Sequence, residues 1–88
     1  MVFLMQAEFD NESQDWLAVI PELPGCLQHG PTKESALRKV QASALQFLAY
    51  KTERGELGAD PLAVEFREAK PDEQQRPEAL LALDAARR

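Results

Sequence analysis

The chain has 88 residues, 44% of them hydrophobic and 28% charged, and a formal net charge of −5. That length holds one small domain with a thin core. The single cysteine, Cys26, excludes an internal disulfide framework and a multi-cysteine metal site, and suits a reducing cytoplasm.

No stretch approaches the roughly 18 to 20 apolar residues that span a bilayer. The N-terminus lacks a basic segment followed by a long apolar run. The expectation is a cytoplasmic protein with no membrane contact.

Val2 to Phe9 reads as a strand, with Phe3, Met5, Ala7 and Phe9 on one face and Gln6 and Glu8 on the other. Asp10 to Asp15 is a polar turn cluster. Trp16 to Ile20 is a second strand, with Trp16, Ala18 and Ile20 on one side and Leu17 and Val19 on the other; the short loop makes the two an antiparallel hairpin. Pro21 and Pro24-Gly25 then break the strand, because proline lacks a ladder donor and glycine allows a positive φ. A short third strand follows at Cys26 to His29.

Thr32 is the expected N-cap of a long helix, with Glu34 in its first turn. Leu37, Val40, Ala44, Phe47 and Leu48 form its apolar stripe, and Arg38, Lys39, Gln46 and Glu53 its polar side. The helix is expected to end near Arg54, with Gly55 as its C′ residue. Asp60-Pro61 marks a turn, and Leu62, Val64 and Phe66 alternate with Ala63, Glu65 and Arg67 as a fourth strand. Lys70 to Arg76 reads as a linker, and Pro77 onward as a short tail helix that needs something to pack on. The division is residues 1–69 as an α+β domain and 70–88 as linker and tail. The order β-β-β-α-β places one long helix on one face of a small antiparallel sheet and leaves the other face open, which favours a homo-oligomer, dimer or tetramer, built through sheet or tail.

Charge is unevenly spread. Residues 1–30 hold five acids, Glu8, Asp10, Glu12, Asp15 and Glu22, and no lysine or arginine. Such a surface is unsuited to duplex nucleic acid, whose phosphates need cationic side chains. It suits a basic partner, and also serves solubility. The helix bases Lys33, Arg38, Lys39, Lys51 and Arg54 are accounted for by a solvated helix face.

Catalytic chemistry finds little support. His29 is the sole histidine; Cys26, three residues away on a strand, falls on the opposite face, so the two make no nucleophile–base pair. The hairpin carboxylates lie in one solvated loop, whereas a two-metal centre draws carboxylates from several elements. No phosphate-binding glycine loop or nucleophile elbow is present. No catalytic residue, metal ligand or cofactor is expected. A residual nuclease would require divalent metal at the acidic turn. The Pro-Glu-Leu-Pro-Gly-Cys stretch reads either as a bend that re-aims the chain or as a partner-binding corner with Leu23 exposed beside Glu22.

From about Val2 to Phe66, three quarters of the chain, the sequence resembles the HicB-like antitoxin domain. The resemblance rests on Pro21-Glu-Leu-Pro-Gly-Cys26 after an aromatic-led strand, then His29-Gly30, Thr32 with Glu34, and Ala36-Leu37. Pro31 stands where the family has an aspartate, and Ser35 replaces one acid of its acidic pair. The resemblance implies a degraded RNase H-like fold without working catalytic acids. It also implies binding and neutralisation of a small basic ribonuclease of the HicA type. The residues expected to meet such a partner are Glu8, Asp10, Asp15, Glu22, Leu23 and Pro24. The tail from Lys70 is short for a helix-turn-helix and lacks the basic strand of a ribbon-helix-helix, so direct DNA binding is not expected. The alternative is a solitary, non-catalytic interaction domain.

Overall fold

The computed structural model describes residues 1–56 and 63–86, and in it four strands and two α-helices follow in the order β-β-β-α-β-α. They are β1 (Val2–Asp10), β2 (Asp15–Val19), β3 (Leu27–Gly30), α1 (Lys33–Glu53), β4 (Glu65–Glu68) and α2 (Glu78–Ala86). The strand order is β3-β2-β1-β4. β1–β2 and β2–β3 are antiparallel, whereas β4 runs parallel to β1. The sheet is therefore mixed, not antiparallel throughout. The reason is directional: β3 runs with β1, α1 returns the chain, and β4 must then run the same way as β1. The Asp60-Pro61 turn and Leu62 lie outside the described residues.

The alternation in β1 and β2 sorts their side chains as expected. Phe3, Met5, Ala18 and Ile20 are buried against Ala36, Val40, Ala44 and Leu48 of α1, with Ala7, Trp16, Leu37, Val64 and Phe66 packed around them. Two ring pairs sit at register positions across the strands: Phe3 stacks on Phe66 and Phe9 meets Trp16 edge-on. Phe47 is a correction to the expected stripe. It lies at the flank of the helix, 36% exposed, while Ala36 takes a fully buried place.

Both ends of α1 are chemically closed. Thr32 is extended, and its hydroxyl accepts a 3.0 Å bond from the Ser35 amide. At the other end Gly55 adopts φ +68°, its amide donating to Thr52 C=O while the Glu56 amide donates to Lys51 C=O. That pair of bonds is a Schellman motif.

The second sheet face is not left open. Leu80, fully buried, and Leu83 of α2 pack on Leu17 and Val19, with Ala79 alongside, making a second small core. The segment before α2 is also more than a linker. Pro71–Glu73 forms a 3₁₀ turn held by a two-pronged Arg67–Glu73 pair, each N–O distance 2.8 Å. The buried Gln6 amide then exchanges two 2.7 Å bonds with the Gln75 backbone, donating to its C=O and accepting from its N–H. Arg76 continues the attachment by bonding Glu8, Asp84 and the Leu80 carbonyl. Thus the side chains on the outer face of β1 tie the tail down, and α2 finds in the sheet the packing surface that so short a helix requires.

Candidate binding site

The proline corner between β2 and β3 is two consecutive turns. The Leu23 amide donates to Ile20 C=O at 3.0 Å, closing a turn with Pro21 in its second position. The Cys26 amide donates to Leu23 C=O at 3.0 Å, closing a second turn with Pro24 and then Gly25 at φ +86°. Proline presets the φ of that second position, and a positive φ at the third is the signature of a type II turn. Ile20, Leu23 and Cys26 then recur every third residue on the inner side, and all three are buried in the main core. Leu23 is consequently not exposed beside Glu22 as expected: it is the shared anchor of both turns, at 9% exposure. Burial pushes the Cys26 thiol above its usual range, which disfavours the thiolate.

Outside this anchored corner lies an apolar cavity of about 500 Å³ between the turns and the start of α2. Val19, Pro21, Pro24 and Leu27 line one side, and Ala79 and Ala82 the other. Leu27, at 41% exposure, stands at its lip on the edge strand. Glu78 lines the cavity and Glu22 belongs to the corner beside it; both are exposed.

At the opposite end of β2 the hairpin tip gathers a second group. Asp10 and Asp15 are register partners, and Asp15 bonds the Ser13 hydroxyl and His29 Nδ1, the latter at 3.0 Å. One ligating atom from each of Asp10, Asp15 and His29 lies within 4.8 Å of the others. Hydrogen bonds from Ser13 hold the Asp10 carboxyl below its ordinary value, and bonds from Ser13 and then His29 do the same for Asp15. Chemically the group is a His–Asp tie between β3 and β2 beside an Asx-type turn, in which Asp10 Oδ1 accepts the Glu12 amide. In the sequence His29 is set against Cys26 alone as a catalytic partner. Continuing the β2–β3 register would have found Asp15: with Val19 opposite Leu27, Leu17 meets His29, and Asp15 is next on that face.

The six expected contact residues therefore do not form one patch. Asp10 and Asp15 sit at the hairpin tip, while Glu22, Leu23 and Pro24 follow the far end of β2, about 13 Å away along the strand. Glu8 lies on the outer face of β1, bonded to Arg76 at 2.6 Å. Its other oxygen is shielded from solvent and takes no hydrogen bond among the described residues. No helix among the described residues is long and apolar enough to cross a membrane. Compared with known proteins, the chain matches no family model, no curated protein and no solved structure.

Proposed function

We propose that the chain is a HicB-like, non-catalytic binding module that captures and neutralises a small basic ribonuclease of the HicA type. The observation that carries this reading is the charge of its N-terminal part: residues 1–30 hold five acids and no lysine or arginine. Such a surface attracts a cationic partner and speeds the encounter. The element order and the Pro-Glu-Leu-Pro-Gly-Cys block between β2 and β3 support it further. Of the expected contact residues, Asp10, Asp15, Glu22 and Pro24 would meet the partner directly. Leu23 would act from beneath by holding the corner, and Glu8 through the Arg76 attachment. The test is co-expression with any small basic protein encoded beside this chain. A complex that copurifies is the expected result; no complex with any such neighbour overturns the reading.

A solitary interaction domain is the second reading. It needs no toxin, and α2 bears on it through self-association by burying Leu17 and Val19 from within the chain. The expectation of a homo-oligomer rested on that face being open. Self-association would now have to use other apolar groups, such as the exposed Leu45, Phe47 and Tyr50 of α1.

A further inference from the structure

β3 is an edge strand, with β2 on one side and no strand on the other among the described residues. Its free backbone groups can be assigned. The Ile20 amide donates to Cys26 C=O, so that pair is a hydrogen-bonded one. In an antiparallel ladder bonded and non-bonded pairs alternate. Ala18–Gln28 and Trp16–Gly30 are then the bonded pairs, and the backbone of Leu27 and His29 faces outward; the Leu27 amide already donates to Gly25 C=O at 3.1 Å, which leaves the Leu27 carbonyl and the His29 amide and carbonyl open among the described residues. The side chains of these two residues share the sheet face of Val19 and Leu17, the α2 side. The apolar cavity between the corner and α2 opens on that same side, with Leu27 at its lip.

An extended segment laid along β3 would find main-chain partners at the Leu27 carbonyl and at the amide and carbonyl of His29. Side chains on the α2 face would be directed over the cavity at the Leu27 end, which is the geometry of strand addition. The charges around this edge specify the sign of the segment. Glu78 and Glu22 stand at the cavity end, and Asp15 at the other end through its bond to His29. Among the described residues no lysine or arginine lines the cavity, and neither Glu22 nor Glu78 forms an ion pair. A second copy of this chain would bring the same acids against their like.

We propose that the open edge of β3 and the adjoining cavity take an extended, basic segment of a partner protein as a fifth strand, with its apolar side chains alternately seated in the cavity. The inference deepens the basic-partner reading and rests on it for the sign of the partner's charge, but its test uses no toxin. The probe is the synthetic peptide Lys-Lys-Val-Thr-Val-Thr-Val-Lys-Lys, titrated into the full-length protein and followed by amide NMR and hydrogen exchange. The Leu27 to Gly30 amide signals should shift and exchange at the His29 amide should slow. A peptide with glutamates in place of the lysines should bind at least about tenfold more weakly, and N-methylation of its central strand should abolish binding. The protein variant E22K/E78K, altered only at exposed positions, should lose the preference for the basic peptide.

Shifts confined to the hairpin tip, equal binding of both peptides, unimpaired binding of the N-methylated one, or no binding would each overturn the proposal. So would concentration-dependent dimerisation that protects the His29 amide without peptide, which would assign the edge to a second copy. If a small basic protein encoded beside this chain forms a complex in which the His29 amide stays unprotected, this proposal falls and the function reading stands. If the peptide docks at the edge but no neighbour binds, the reverse holds.

Discussion

At Gly30 the chain leaves the sheet and begins α1 within two residues. A Cβ built there would lie 2.6 Å from the Ala36 amide nitrogen and 2.9 Å from Ser35 Oγ. The first of these is helix backbone and cannot step aside. Gly30→Ala should therefore cost about 1–3 kcal/mol, as overpacking does, read as a drop in the urea midpoint; an unchanged midpoint would show that α1 does not sit this close. Cys26 gives a second test at this scale. It is buried, with its thiol pushed up, so it should resist alkylation at neutral pH in the folded protein and react freely in denaturant. Rapid labelling of the native protein would contradict its anchoring role in the corner. Glu73 gives a third. Bonds from Arg67, and then from the Lys70 amide, hold its carboxyl at about 2 against an ordinary 4.5. A depressed folded value stabilises the fold above the unfolded value and loses that contribution as pH falls through the folded one. Stability should thus decline between about pH 5 and pH 2, and Glu73→Gln should flatten the decline. Identical pH curves for the two proteins would remove the Arg67–Glu73 clamp from the account.

Among the elements, α2 depends most on its neighbours. Nine residues do not hold a helix in water without packing, and its supports are Leu17, Val19, Gln6 and Glu8 on the sheet. Leu80→Ala removes the fully buried side chain of that contact and should cost about 2–5 kcal/mol. It should also raise hydrogen exchange in α2 ahead of α1; equal loss in both helices would show that the tail is not a separable layer. The docking was only half legible beforehand. The two-sided apolar pattern of β2 announced that Leu17 and Val19 needed cover, and the tail's dependence on a packing surface was evident. That one need answers the other follows from Gln6, whose amide serves the Gln75 backbone across 69 residues of sequence, and no local period encodes such a bond. α1 was legible at both ends because Thr32 and Gly55 act within their own turns. The corner was legible as a bend, since Pro21, Pro24 and Gly25 act locally, but not the inward turn of Leu23. That orientation follows only when both turns are closed together. The parallel β4 was missed for a similar reason: its direction depends on α1 returning the chain across the sheet.

For the whole molecule, the central matter is how unevenly charge is neutralised. The bases of α1 are largely met within the chain: Lys33 by Glu68, Arg38 by Glu34, and Lys51 and Arg54 by Glu56. Arg76 is likewise engaged by Glu8 and Asp84. Among the described residues the hairpin tip and the corner retain acids without a lysine or arginine paired to them, and they sit at the two ends of one strand. A partner that satisfies both must present basic groups about 13 Å apart or more along an extended surface. Their separation also explains why the sequence, which shows only that acids are frequent before residue 30, did not distinguish one patch from two. The measurement that tests the account most directly is calorimetric titration of any small basic protein encoded beside this chain into the wild-type chain and into E22K/E78K, at low and at moderate salt. The account predicts a complex that weakens by tenfold or more on charge reversal and weakens with salt. No binding, or binding indifferent to both reversal and salt, would contradict it.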